Sequence, residues 1–481
     1  MNLKKRVFVF YTIISIIFFG ILIKLEYATD TYSVFNFNVE QIYMQYAMLG
    51  RFITAIVGKI IKVINASEYG IYMGSWILAI ICTIICQYKL YTIIKKDVKN
   101  KAIRLIIPTL IIINPFSIEL FLYIEKGIMW FGILMCILAL SNLINFFENQ
   151  QKGKYLIYAI LFIFLANCCY QGVIGLFVGI ATVYILKYSK TFSRFIINNL
   201  IVGLIYGIPT VANYLIVKIL FKESRVNGDI VIVESLQKIY KNTIDMFKYM
   251  HNLLPKYALI FLILFTFSVF CSKIFKEKGR FLKLLEFLYI LAGVTFAAIV
   301  PQAVQPTSSI WMVPRTTYCF ASLYGILILY LAMNFELKNF EKTTILIISC
   351  ILIILQLQKF IQIEQGRFLL NEKDEQITSQ IIQQIEQYEA QTGNIITEIS
   401  VYQDNKPSYT YSGIVAIGDI NVKCYVNGWS AVSILNYYLK RDIKLVENDE
   451  IEEQQFSKQN WDEFNKEQIE FKQNKLIICN Y

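Results

Sequence analysis

GIMWFGILMCILALSNLINF, residues 127–146, runs for 20 residues without a charge. Lys126 precedes it, and Lys152 and Lys154 follow. At a rise of 1.5 Å per residue, a helix of this length is about 30 Å long, the thickness of a bilayer's hydrocarbon core. A soluble surface helix would interrupt the run with polar residues every three or four positions. This stretch therefore predicts a membrane span.

Runs of the same kind recur on both sides. They predict about eleven spans, near residues 7–24, 69–88, 103–118, 127–146, 155–168, 170–187, 195–220, 256–274, 284–301, 316–333 and 343–360. The runs at 103–118 and 155–168 are short and could be broken or re-entrant. The first run follows Lys4, Lys5 and Arg6 as a signal peptide would. No small-residue cleavage site follows it, so it reads as a retained signal-anchor helix.

Composition agrees. The chain has 481 residues, 56% apolar, 15% aromatic and only 17% charged, with a single histidine. Soluble domains carry about 25% charged residues. Disorder and an ordinary cytosolic enzyme are excluded. The net charge of +11 does not point to nucleic acid, because Lys and Arg fall in short clusters between apolar runs, as membrane topology requires. Most of the ten cysteines lie in apolar runs, where they act as small hydrophobes. Cys424 and Cys479 fall on or beside expected strands, where a bridge is geometrically possible.

Basic clusters at Lys4–Arg6, Lys89–Arg104, Lys152–Lys154, Lys187–Arg194, Lys273–Lys283 and Lys338–Lys342 mark one face. The positive-inside rule makes that face and the N-terminus cytoplasmic. Loops 25–68, 119–126, 221–255 and 302–315 then lie outside. An odd number of spans leaves the C-terminus outside as well.

Beyond residue 360 the composition turns to Glu, Gln, Asn and Lys. Residues 372–390 carry a helical stripe, 429–439 read as a helix, and 395–402, 422–426, 443–446 and 476–479 as strands. The expected organisation is an all-α polytopic membrane domain over 1–360 and a small extracytoplasmic α/β domain over 361–481.

No phosphate loop, strand-borne GxGxxG, HExxH or pair of CxxC motifs occurs. Cytoplasmic loops are too short for a nucleotide-sugar domain, so chemistry belongs in the membrane or outside. In EYATDTYS, residues 26–33, Asp30 stands at interface depth and could act as a general base. From spacing alone, a solvated loop carboxylate is the plainer reading. Residues 41–64 carry apolar positions three and four apart, one stripe of an interfacial helix, with Arg51, Thr54 and Lys62 off the stripe. NPFSIELFLYIEK, residues 114–126, places Glu119 and Glu125 at a membrane boundary after a helix-ending proline. NCCYQG, residues 167–172, is a polar break between spans. In PQAVQPTSSIWMVPRT, residues 301–316, Arg315 precedes a span. It suits a lipid-linked phosphate, or it snorkels to headgroups.

These motifs and their order resemble the bacterial type-II glucosyltransferase-like membrane proteins that modify O-antigen and other surface glycans. The resemblance rests on an acid in the first outer loop, Gly50-Arg51, Asn-Pro-Phe with Glu119, Tyr170-Gln171, Pro314-Arg315 and a polar ending with Trp429. It implies a GT-C fold and transfer of glucose from a polyprenyl-phosphate donor to a cell-surface glycan. Asp30 and Glu40 are then the catalytic candidates, and Arg51, Glu119, Tyr170, Gln171 and Arg315 bind substrate. Family members often pair two acids in the first loop. Here Thr29-Asp30-Thr31 matches one of them, which makes Glu40 a substitute.

The partners implied are the lipid-linked donor, the glycan acceptor and membrane lipid. No cofactor is evident, and a divalent metal stays open. Two rivals stand beside this reading. A flippase for lipid-linked glycans would show mid-bilayer charges and inverted repeats, which the sequence lacks. An O-antigen polymerase or ligase would use a basic outer loop, and 221–255 carries Lys222, Arg225, Lys238, Lys241, Lys248 and His251.

Overall fold

The computed structural model describes residues 3–149, 152–224, 227–254, 258, 267, 268, 270, 271, 280–303 and 305–480. The chain forms two compact units. Unit one comprises Met1–Ile23, Val39–Phe121 and Glu125–Phe360; unit two comprises Lys24–Asn38, Leu122–Ile124 and Ile361–Tyr481.

Unit one is helical. Among the described residues, six helices are long and apolar enough to cross a membrane: Glu68–Ile94, Lys126–Glu148, Gln171–Tyr188, Phe192–Leu220, Phe281–Gln302 and Asn339–Thr392. Five of them contain an expected span, and Gln171–Tyr188 covers all of 170–187 but its first residue. The run at 7–24 forms the helix Leu3–Phe19 and a short turn, and 155–168 the 17-residue helix Gly153–Cys169. The run at 103–118 gives the 12-residue helix Lys101–Ile112, and 316–333 is divided between Tyr318–Ala321 and Leu323–Asn334. Most of 256–274 lies outside the described residues. The expected outer loop 221–255 contains the helix Ile232–Asn252.

Helix Lys126–Glu148 is central and packs against Glu68–Ile94 and Gly153–Cys169. Helix Phe192–Leu220 shows how the solvent is read from burial. Its buried positions include Asn198, Val202, Ile205, Asn213 and Val217. Leu200, Leu204, Ile208, Val211, Leu215 and Ile219, spaced by three and four, are exposed. An apolar stripe turned outward with asparagines turned inward reverses the soluble pattern, as hydrocarbon surroundings require.

The single stripe expected over 41–64 is instead two helices, Val39–Ala47 and Phe52–Val63, which pack on each other. Gly50 between them has φ +72°. That left-handed conformation costs glycine little and stops a right-handed helix.

Unit two is an α/β domain. Its sheet has the order β2-β1-β4-β3, with β1 Glu398–Gln403, β2 Lys444–Leu445, β3 Ile469–Lys472 and β4 Lys475–Asn480. β1 is parallel to both β2 and β4, and β3–β4 is an antiparallel hairpin. Leu370, Ile377, Ile381 and Ile385, one stripe of Asn339–Thr392, share a core with Ile399, Ile434 and Leu476. The expected strand at 422–426 is a single turn, Cys424–Val426, with all three residues buried. The buried Asp374 carboxylate takes the Cys424 N–H that a strand neighbour would otherwise accept. Cys424 and Cys479 are free thiols, so no bridge joins them.

Lys24–Asn38, the start of the first loop expected outside, also belongs to unit two. Helix Thr29–Asn36 packs on Gly428–Leu439. Tyr32 enters the same core. The Tyr27 N–H donates to Asn371 Oδ1 at 2.8 Å, and Asn371 Nδ2 donates back to Tyr27 O at 2.9 Å.

Candidate functional site

The site begins where helix Lys101–Ile112 ends. Pro115 pushes Asn114 out of the helical region, and the last carbonyls lose their partners. Ser322 Oγ donates to Ile111 O at 2.7 Å, Tyr318 OH to Ile112 O at 2.5 Å, and Gln356 Nε2 to Ile113 O at 3.2 Å. Asn114 Nδ2 reaches Ser322 Oγ at 3.0 Å, while its Oδ1 accepts from the Phe116 N–H. These bonds tie the break at 113–116 to the segment that follows Arg315. They also start the short helix Ser117–Leu122, which carries Glu119 in its first turn.

Glu119 is wholly buried and meets Arg315 twice. Its Oε1 accepts from Arg315 Nη1 at 2.5 Å, and its Oε2 accepts from the Arg315 backbone N–H at 2.6 Å. The Arg315 side chain keeps 14% of its surface exposed. Its backbone lies against Gly172, where a Cβ would stand 2.8 Å from both Arg315 O and Thr316 Cα. Only glycine lets the two chain segments approach so closely.

Next to Gly172 stand Tyr170 and Gln171. Gln171 Nε2 donates to Leu49 O at 2.8 Å and Asn213 Nδ2 to Gly50 O at 2.9 Å. The turn at 49–51 is thereby pinned from two sides, and Thr54 Oγ1 adds a bond to Cys169 O. Arg51 leaves this turn with its guanidinium over the Tyr170 ring, 4.5 Å from the centroid, a cation–π contact. Tyr170 is buried. The charges acting on its hydroxyl are those of Arg315, Arg51, Glu119 and Glu125. The Tyr170 hydroxyl and Arg51 Nε make no hydrogen bond among the described residues. Lys126, also buried, lies over the Tyr72 ring at 3.4 Å.

Arg51, Glu119, Tyr170, Gln171 and Arg315, distant in sequence, thus come together in unit one. The two acids expected to be catalytic fall in different units. Asp30 is half-buried in the first turn of Thr29–Asn36 in unit two, where a carboxylate favours the helix start. Burial first, with Asp374 and more weakly Asp30, pushes the Cys424 thiol up. Glu40 belongs to unit one, is 69% exposed and stands 3.9 Å from Lys59 Nζ. Among the described residues, no three His, Cys, Asp or Glu side chains form a metal-ligand set.

Two residues of the site carry signals that sequence reading underused. Glu125 stands in the quoted motif yet was not given a binding role. Asn213 is a polar residue inside a long apolar run, which marks a position with a partner.

A family model described as glucosyl transferase GtrII matches residues 18–326. No curated protein and no solved structure shows significant similarity to the chain.

Proposed function

Because the chain belongs to the glucosyl transferase GtrII family, we propose that it moves a glucosyl group from a polyprenyl-phosphate donor to a surface glycan at the outer face of the cytoplasmic membrane. In this reading the basic clusters face the cytoplasm together with the N-terminus, and an odd number of spans leaves the C-terminal domain outside. The observation that carries the reading is the convergence of Arg51, Tyr170, Arg315 and Glu119, with Arg51 Nε and the Tyr170 hydroxyl making no hydrogen bond among the described residues.

In this reading Arg315 and Arg51 receive the donor phosphate. The acceptor hydroxyl attacks the anomeric carbon as its proton passes to a carboxylate, Asp30 or its substitute Glu40. The bond from that carbon to the phosphate oxygen breaks, and the electron pair stays on the phosphate. Negative charge grows there in the transition state, where fixed cations contribute most. Guanidinium presents a planar fork to phosphate oxygens. Glu119 holds Arg315 in place and acts through it. Gln171 holds the turn that carries Arg51.

The test is transfer from a synthetic polyprenyl-phosphate glucose to a glycan acceptor in membranes. Arg315→Ala should abolish transfer at normal membrane abundance. Asp30→Asn should reduce it by about 10²–10⁴, the usual loss for a positioned general base. If Asp30→Asn is active and Glu40→Gln is not, the base is Glu40. Full activity in all three variants would sink the proposed mechanism.

A further inference from the structure

A second site lies between helices Glu68–Ile94 and Lys126–Glu148, away from the residues described above. A cavity of about 390 Å³ opens there, lined by Lys89, Lys95, Lys96, Ser141 and Asn145 among others. Lys89 and Thr92, three apart, face one side of the first helix, and Lys96 follows in the turn just past its end; Ser141, Asn145 and Glu148 share one side of the second. Lys96 is already engaged by the Glu148 carboxylate, which also accepts from Tyr188 OH. Lys89 and Lys95 have no ion-pair partner among the described residues. The side chains of Ser141 and Asn145 make no hydrogen bond among the described residues either.

The cavity thus gathers two uncompensated ammonium groups, a free hydroxyl and a free amide. Lysines near a helix C-terminus also answer the helix dipole. The dipole does not call for the hydroxyl and amide donors that face them. Together they match the several acceptor oxygens and the charge of a phosphate. The surroundings say which phosphate. Ile81, exposed, and Ile85, half-buried, lie on the helix face that ends at Thr92 and Lys96, and half-buried Leu138 lies one turn before Ser141 and Asn142. An apolar track thus leads to a basic, polar end. A soluble anion would use only the end, whereas a lipid uses both.

We infer that this cavity binds the headgroup phosphate of an anionic membrane phospholipid, with acyl chain along Ile81, Ile85 and Leu138. The full chain, delipidated in neutral detergent, is titrated with phosphatidylglycerol, phosphatidylcholine or inorganic phosphate and followed by native mass spectrometry. Phosphatidylglycerol should bind as a discrete adduct and phosphatidylcholine should bind more weakly. Lys89→Gln/Lys95→Gln should lose roughly fivefold in affinity for each lysine removed. Lys99→Gln/Lys101→Gln, exposed on the same basic stretch but outside the cavity, should bind as wild type. Melting midpoints check that each variant is folded. Equal loss in both double variants, unchanged binding by Lys89→Gln/Lys95→Gln, or no preference for the lipid over inorganic phosphate would overturn the inference.

Discussion

Glu119 and Arg315 allow a quantitative test of what holds the site. At 2.5 Å and an effective dielectric constant of about 20, their gross attraction is about 7 kcal/mol. Most of that offsets the desolvation of two charges, since Glu119 is fully buried and Arg315 nearly so. The net value of the pair is therefore small, but breaking it is not. Glu119→Gln keeps the shape and one acceptor for the Arg315 N–H, yet removes the charge that faces the buried guanidinium, at about 3–5 kcal/mol. Arg315→Met removes the charge that faces the carboxylate, at a similar cost. The double variant removes both charges of the pair, so it should cost less than the sum, with a coupling of about 2 kcal/mol or more. The assay is unfolding of all four proteins in one detergent, followed by tryptophan emission, together with glucosyl transfer. Glu119→Gln/Arg315→Met should regain stability and stay inactive, because the cation for the phosphate is missing. Additive costs within about 0.5 kcal/mol would show that the residues do not act as a pair. Regained transfer in the double variant would remove Arg315 from the chemistry.

Two further expectations follow from local geometry. Gly50→Ala forces a side chain into φ +72° and sets its Cβ 2.3 Å from Asn213 Oδ1, which should cost about 1–2 kcal/mol for the backbone and about 1 kcal/mol for the displaced Asn213 bond. Adding Asn213→Ala should remove the clash but not the backbone strain, and a Gly50→Ala protein as stable as wild type would contradict the account of the turn. In unit two, burial opposes charge on Glu452, but hydrogen bonds from Lys472, Tyr402 and Lys475 outweigh it and hold the carboxyl at about 2, below its ordinary 4.5. A carboxyl lowered on folding stabilises fully above its unfolded value and loses that contribution as pH falls towards 2. The gap in melting midpoint between wild type and Glu452→Gln should be widest at neutral pH and close between pH 4.5 and 2; a constant gap would refute it.

The membrane character was legible in runs such as 127–146, because hydrocarbon imposes the same demand on every spanning residue. Six of those runs are long continuous helices. The break at 103–118 was legible in the shortness of the run and in Asn114-Pro115, where the helix ends. Reading one stripe as one helix failed at 41–64, where Gly50 divides it in two, because periodicity alone gives a single glycine no weight. In unit two, the apolar run around Cys424 read as a strand because burial looks alike in a strand and a buried turn. The residues proposed to bind substrate stand out by placement beside breaks, which is where backbone polar groups need side chains. That Glu119 would close on Arg315 was not legible, since it depends on Tyr318, Ser322 and Gln356 capping a helix two hundred residues earlier.

The membership of Lys24–Asn38 in unit two has a consequence for biogenesis. The hydroxyls of Ser33 and Ser433 lie 2.6 Å apart across 400 positions of chain. At about 5–20 residues per second, a ribosome reaches Ser433 about 20–80 s after Ser33. During that interval Tyr32 and Val34, buried in the finished protein, have no wall to close on. The nascent chain thus carries an unfinished apolar surface near its beginning while its remaining spans are inserted. A ribosome that stalls before Gly428–Leu439 leaves that surface open for good, a mark by which quality control can tell a truncated chain from a complete one.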